Sequence, residues 1–512
     1  MLEAAGEGTF RKDAGRAGAA AAGASRAQAE GMPRAPQPQA EPAGESADGD
    51  LSATALLAQR GHAILPGSLP EEIAEVARHC LLDWLGVTLA GVEEPLSGIL
   101  AREVVARDQA TEAHILGTPH TATALTAALV NGATSHALDF DDTNVAMSGH
   151  PSVPVLPAVL ALAEREDASG ADFLAAFVAG VETECLVGVL VNPGHYFAGW
   201  HATGTLGTFG AAAACASLLG LSVEQWRHAL GLAGVQAGGL KSAFGTMTKP
   251  FHAGKAAMNG LLSATLAAGG FTSDPCIVES HQGFAATHAG GSVDAVRLAS
   301  LDGQYLIRNT LFKYHAACHL THGAIEGALV VRSLLLQEFG GDQTAGMPKE
   351  IREAIDEIDV IVHSSALDVC NIERPVTGLE GKFSLRATVA MALLGDDTGD
   401  RRVFTDARMA DPELCSLRDR VRVITDTRTS PVGTPVLARL RDGRKIAGSG
   451  AMGLPAEHLD LQWKKLVGKF RSLAGPVVGS ERAEQLVEAV AQIEQAASVR
   501  DLVQLACPPE AV

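Results

Sequence analysis

The chain has 512 residues, 47% of them hydrophobic and only 4% aromatic, and carries a formal net charge of -19. That length can bury a large core and points to more than one domain. The acidic balance, with no basic stretch interleaved with aromatics, excludes a nucleic-acid binder, which needs cations for phosphates and rings for bases.

Residues 1–50 are rich in Ala, Gly, Pro, Glu and Arg and nearly devoid of large apolar side chains. Such a segment cannot offset its ordering entropy, so it is expected to be a disordered extension, and it lacks the apolar centre of a secretory signal. Order is expected from Ala53 onward. Ser68-Leu69-Pro70-Glu71 reads as a capping box, and Ile73, Val76, Ala77, Cys80, Leu81, Trp84 and Leu85 mark one helical face. Further helices are expected at 121–138, 153–166, 171–191, 203–220, 222–235 and 253–268, with Ser222 and Gln225 forming a second capping box. Their apolar residues run round much of each circumference, which places them inside a many-helix unit. No uninterrupted apolar run reaches the roughly 18 residues of a membrane span, so no membrane partner is expected.

The pattern changes near residue 300. Residues 358–363 and 420–425 read as strands and 435–447 as a hairpin about Asp442-Gly443, with helices at 323–338, 348–357 and 383–395 between them. Helices return at 457–472, 480–494 and 498–506. The expected fold is therefore mainly α. A large all-helical domain is built from 51–298 and 454–512, and a smaller α+β lid, 299–453, is inserted in it. Eight cysteines are scattered with no Cys-x-x-Cys spacing, which reads as reduced thiols in a cytoplasmic protein and not as a zinc or iron–sulfur site.

Ionisable groups collect in five otherwise apolar runs, where they are costly unless paired or used. Asp139, Asp141 and Asp142 follow a helix end; an Mg²⁺ site, a solvated cap and a role in orienting an imidazole or substrate are all open readings. His315, His319, His322 and Glu326 have i, i+4, i+7, i+11 spacing, compatible with a metal face on one helix, an active-site imidazole or core histidines. Gly199-Trp200-His201 to Gly207 lacks the preceding strand of a dinucleotide fingerprint. It reads instead as the opening of a tightly packed helix, with His201 at a pocket edge. Lys249 precedes Pro250 and is expected in an extended or turn conformation ahead of the 253–268 helix. His252 and Lys255 lie close by in sequence.

These motifs together resemble the MmgE/PrpD family: Asp139-Phe-Asp-Asp-Thr143 with His150-Pro-Ser152, His201-x-x-Gly-Thr-Leu-Gly207 and Thr248-Lys-Pro-x-His252. The resemblance spans about 53–508. It implies a homodimer, and catalysis between helical domain and lid without metal or organic cofactor. It implies a pocket of Asp139, His150, His201, Lys249 and His322 as catalytic residues, with Thr143, His252 and His319 binding substrate. The family's activities include dehydration of 2-methylcitrate, decarboxylation of cis-aconitate and epimerisation of iminodisuccinate, so the implied substrate is a small polycarboxylate. A hydro-lyase is the first expectation, a decarboxylase or epimerase the alternatives, and a non-catalytic dimeric homologue the reading from another class. In the implied mechanism Lys249 stabilises charge as a proton leaves the carbon next to a carboxylate. His150, His201 and His322 are the acid and base candidates, and Asp139 orients one of them. Two positions depart from relatives: Ala387 stands where decarboxylating relatives carry Tyr, and His319 where many members carry Arg.

Overall fold

A computed structural model describes residues 52–508 apart from 292, 427–432 and 452. The expected disorder of residues 1–50 lies outside the described residues. The fold is mainly α, as expected.

Leu57, Trp84, Phe173, Phe177, Phe209 and Trp226 lie in one hydrophobic cluster drawn from residues 53–312 and 459–507. Its central helix, Gly170–Val191, is apolar over most of its circumference and is buried among its neighbours, as so hydrophobic a helix must be. By length and composition alone it would suffice to cross a membrane, although Asp172, Glu182 and Glu184 interrupt its apolar run; its apolar surface is taken up by the core. Small residues set how closely the helices approach. A Cβ on Gly254 would stand 2.0 Å from the Leu129 carbonyl oxygen, and one on Gly260 2.4 Å from the Ala211 Cβ. The helix Thr248–Ala268 is thereby wedged between Ala124–Ser135 and Ala202–Leu218.

The second hydrophobic cluster takes in residues 316–446 and borrows Val87, Ala90, Phe140 and Leu473 from the helical side. At its centre is a four-stranded sheet in the order Val421–Thr425, Ile355–Val362, Gly433–Leu440, Lys445–Ala451. The first pair is parallel and the other two antiparallel. The helix His319–Phe339 lies on the two hairpin strands, close enough that a Cβ on Gly450 would meet the Gly323 carbonyl oxygen at 2.3 Å. Beyond the sheet, the helix Leu459–Val478 packs on Glu71–Gly91.

Three local expectations are corrected. The Ser68 capping box does not form: Ser68 Oγ donates back to the Leu65 carbonyl at 2.7 Å, and the helix starts after Pro70. There Glu71 and Glu72 face the helix dipole. The box at Ser222 and Gln225 does form. The helix expected at 348–357 stops at Ala354, because Ile355 pairs with Leu440 and is buried in the sheet; tertiary pairing overrides local propensity. Lys249 is not extended but sits in the first turn of Thr248–Ala268, with Pro250 beside it, where the missing proline N–H costs nothing.

Candidate active site

The loop after Ala124–Ser135 lies at the seam of the two clusters. Phe140 is buried there, and its carbonyl accepts from Lys469 Nζ at 2.7 Å. Lys469 in turn pairs with Asp83 at 2.6 Å, both side chains being buried. Asp139 has φ +52°, a left-handed conformation that Asp tolerates better than most residues. It lets consecutive carboxylates diverge.

Asp139 gathers cations. Its Oδ1 lies 2.8 Å from Lys249 Nζ and 3.0 Å from Lys313 Nζ, and Lys313 also donates to the Asp139 carbonyl at 2.5 Å. Burial opposes its charge, but Lys249 and then Lys313 outweigh it and hold the carboxyl well below the usual range. Burial likewise opposes the Lys313 charge, yet Asp139 and Asp141 hold its ammonium above its ordinary value. The Asp139 side chain is 37% exposed, against 14% for Lys249 and 2% for Lys313, so it forms the open edge of the cluster.

Asp141 gathers imidazoles. His136 Nδ1 lies 2.9 Å from its Oδ2, and His150 Nδ1 lies 2.8 Å from the same oxygen and 2.8 Å from the Asp142 carbonyl. With acceptors facing both Nδ1 atoms, each ring carries its hydrogen there. His150 Nε2 is turned away from Asp141 and lies 3.7 Å from Asp139 Oδ1. The expected orienting carboxylate is thus Asp141 and not Asp139, because Asp139 is taken by the two ammonium groups. Burial opposes the Asp141 charge, but His136 and then His150 outweigh it and leave the carboxyl well below its ordinary value. Burial pushes Asp142 up to about 7, with Asp83 adding to the rise, while Ser152 Oγ donates to it at 2.5 Å.

From His150 the rings form a row. His136 meets His150 edge-on at 4.6 Å between centroids and stacks on His201 at 5.9 Å; His201 Nδ1 is 3.1 Å from His252 Nδ1. Burial pulls His136 down to about 4 and holds His201 and His252 below the ordinary imidazole value. His201 is buried at the N-terminus of Ala202–Leu218 and not at a pocket edge. His252 also lines a cavity of ≈ 390 Å³ with Thr246, Thr248, Phe251 and Lys255.

The remaining expected residues are placed differently. Thr143 acts through its backbone: Thr143 pairs with Leu311 and Asn144 with Thr310, a register that delivers Lys313 to Asp139 two residues later. His319 begins the His319–Phe339 helix and is lowered to about 4 by burial, then by Lys313 and His150. His322 lies behind it, fully buried, 5.3 Å from the His319 ring, with Nε2–H on the Ala317 carbonyl at 3.0 Å. The one-face reading of His315, His319, His322 and Glu326 fails because the helix starts at His319. His315 instead binds Glu326 at 3.2 Å and Thr398 at 2.8 Å.

Sequence reasoning passed over Lys313 and His136 as site residues. The signal for Lys313 was an ammonium set between Phe312 and Tyr314; for His136, an imidazole closing an Ala-rich helix just ahead of Asp139.

His136, Asp139, Asp141 and His150 offer ligand atoms within 4.8 Å of one another, by type a possible cation set. Two ammonium groups already share Asp139, and both imidazoles turn Nδ1–H toward Asp141, so a cation would have to displace a buried lysine. The donor set fits proton and carboxylate chemistry better.

The MmgE/PrpD N-terminal domain matches residues 56–295, and the MmgE/PrpD C-terminal domain matches residues 315–495. The chain is 28% identical over 463 residues to "Cis-aconitate decarboxylase-like protein oryM" of Aspergillus oryzae, covering 86% of this chain and 94% of that protein. It is 27% identical over 454 residues to cis-aconitate decarboxylase of Homo sapiens (86% and 92%). It is 26% identical over 465 residues to cis-aconitate decarboxylase of Aspergillus terreus (86% and 93%).

Proposed function

The chain belongs to the MmgE/PrpD family, and from that premise we propose that it is a lyase acting on a small polycarboxylic acid next to one of its carboxylates. The observation that carries the reading is the Asp139 carboxylate held by Lys249 and Lys313, with His150 Nε2 3.7 Å from it. Two ammonium groups on one carboxylate leave positive charge over for an anionic substrate. The same charge stabilises the enolate-like electrons that form when a C–H or C–C bond beside a carboxylate breaks. His150 Nε2 is the base, its tautomer held by Asp141 and the Asp142 carbonyl. His319 and the His201–His252 pair are the remaining imidazoles that can return a proton, since a bound carboxylate raises the affinity of a neighbouring imidazole for one.

Decarboxylation of a cis-aconitate-like tricarboxylate is the first reaction to test, because the relatives named above carry that activity in their names. Dehydration is the second reading, favoured by Ala387, a buried methyl at the position where the family resemblance leads one to expect the Tyr of decarboxylating members. Purified chain is to be incubated separately with cis-aconitate, 2-methylcitrate, citrate and iminodisuccinate, with products read by mass spectrometry before and after dialysis against a chelator. Loss of CO2 from cis-aconitate supports the first reading, and loss of water from 2-methylcitrate the second. No product from any of the four removes the proposal; activity lost to the chelator and restored by a divalent ion would replace it with a metal-assisted one.

A further inference from the structure

Beside the charged cluster, two imidazoles meet where two helices begin. His201 is the N-cap residue of the 17-residue helix Ala202–Leu218, and His252 is the fifth residue of Thr248–Ala268. Close backbone packing fixes both rings. The His201 N–H donates to the Gly239 carbonyl at 2.9 Å. A Cβ on Gly204 would stand 3.0 Å from the His252 Cβ, and one on Gly239 3.2 Å from His252 Nδ1. The outcome is a hydrogen bond of 3.1 Å between His201 Nδ1 and His252 Nδ1. One hydrogen occupies such a contact, and each ring keeps its Nε2 for another partner. His201 Nε2 is buried and has no hydrogen-bond partner among the described residues. The His201 ring borders the active site: His136 stacks on it at 5.9 Å, and Phe244, edge-on to it at 4.9 Å, also lies 5.5 Å from Lys249 Nζ. His252, 7% exposed, is in the wall of the ≈ 390 Å³ cavity with Ser242, Thr246, Thr248 and Lys255. The pair therefore connects the active site to a second, polar cavity.

We propose that His252 is a proton relay for His201, passing protons between this cavity and the buried Nε2 of His201 while substrate covers the active site. The inference rests on the lyase reading: loss of CO2 leaves a carbanion that must take a proton from outside the substrate. The cavity sets the resting hydrogens. With Nδ1 turned to His201, Nε2 is the His252 nitrogen left to the cavity. There Lys255 can only donate, and the hydroxyls of Ser242, Thr246 and Thr248 can donate as well. Nε2 is therefore the acceptor, and His252 Nδ1–H donates to His201 Nδ1. His201 then carries its hydrogen at Nε2. Burial, then His136 and Lys249, disfavours a lasting charge on His201, as burial and then Lys255 does on His252, so neither ring traps the proton in passing. In delivery, a solvent or buffer acid protonates His252 Nε2. The His252 Nδ1–H bond breaks as the His201 Nδ1–H bond forms, and His201 Nε2 releases its proton to the carbanion, or to a departing hydroxyl. One proton leaves solvent and one reaches substrate. Both rings end neutral, with their hydrogens on the opposite nitrogens. After product leaves, water in the open site protonates His201 Nε2 and the transfers run backward, restoring the resting pair.

The first test needs no substrate. The full chain is prepared with isotope-labelled histidine, and the ring tautomers are read by proton–nitrogen NMR, with His201→Gln and His252→Gln supplying the assignments. The expected result is hydrogen at Nε2 of His201 and at Nδ1 of His252; a His201 hydrogen at Nδ1 would overturn the proposal. The second test uses whichever acid of the panel turns over. His252→Ala is expected to lower kcat by about 10–100-fold with KM changed by less than about threefold. Added imidazole, small enough for the cavity, is expected to restore most of that rate and to saturate, which a merely structural role for His252 would not allow. Adding Ser242→Trp, which fills the cavity, should abolish the rescue. A His252→Ala protein with kcat within about threefold of the unsubstituted chain, or a slow one that imidazole does not restore, would overturn the relay. So would a rescue that Ser242→Trp leaves intact. No product from the unsubstituted chain on any acid would instead remove the lyase reading, and the relay with it.

Discussion

Replacing Lys313 by Met tests the site where its geometry is most specific. The ammonium is 2% exposed and touches the Asp139 carbonyl at 2.5 Å and Oδ1 at 3.0 Å. Two unit charges at that separation in an effective dielectric of about 20 attract by about 5.5 kcal/mol. That is a ceiling, since Asp139 is 37% exposed and keeps Lys249. Breaking a buried pair costs about 3–5 kcal/mol in general. With the carboxylate still partnered and Met filling the lysine stem's volume, about 2–3 kcal/mol is the expected loss. In a chain this long that is a fall in Tm of a few degrees. Losing one of two cations that face developing negative charge is expected to lower kcat/KM by about 10²–10³. Lys249→Met is the informative partner, because Lys249 is more exposed and holds Asp139 through Oδ1 alone. It should cost activity similarly and stability less. The measurements are thermal unfolding and initial rates on whichever acid of the panel turns over. A Lys313→Met protein with unchanged Tm and kcat/KM within threefold of the unsubstituted chain would refute the assignment.

Lys469→Met leaves Asp83 buried and unpaired and is expected to cost about 3–5 kcal/mol in urea unfolding. Adding Asp83→Leu should recover more than 1 kcal/mol of that, about the worth of removing the orphaned charge; no recovery would mean the pair does not control stability. Gly254→Ala drives a methyl to within 2.0 Å of the Leu129 carbonyl oxygen, so it should lose about 3 kcal/mol or more and, by displacing Lys249, most activity. Gly468→Ala, within Leu459–Val478 and with open space at its Cβ, should instead gain about 0.5–1 kcal/mol; both are read by Tm. His319 sits at about 4 in the fold against 6.5 unfolded. Only the unfolded chain takes the proton between those values, so this stability is present above about 6.5 and lost as pH falls toward 4. By pH 5 the loss reaches about 2 kcal/mol. His319→Gln should therefore flatten the fall of Tm between pH 7 and pH 5, and an unchanged slope would count against a neutral buried His319.

The helices were legible because apolar periodicity is a local signal: the faces at Ile73–Leu85 and 171–191 need no knowledge of what covers them. Their ends were less so. Ile355 belongs to a strand only because Leu440 arrives beside it, and Ser68 fails as a cap because the chain turns it back onto Leu65. The same limit applies inside the site. Motif reading brought Asp139, His150 and Lys249 into one neighbourhood, but which carboxylate serves which partner depends on one left-handed residue. With φ +52° at Asp139, its carboxylate swings to the lysines and leaves Asp141 to the imidazoles. No spacing rule distinguishes Asp139 from a residue two places on. Lys313 shows the complementary case. It is separated from Asp139 by 174 residues and reaches it through the short pairing of Thr143–Asn144 with Thr310–Leu311, too brief to leave an alternating pattern. Yet a lysine between Phe312 and Tyr314 had to be either solvated or paired, and its burial removes the first option. An isolated charge in an apolar segment therefore implies a distant counter-charge even where the contact between them cannot be read, and here that counter-charge is the carboxylate on which the whole site is assembled.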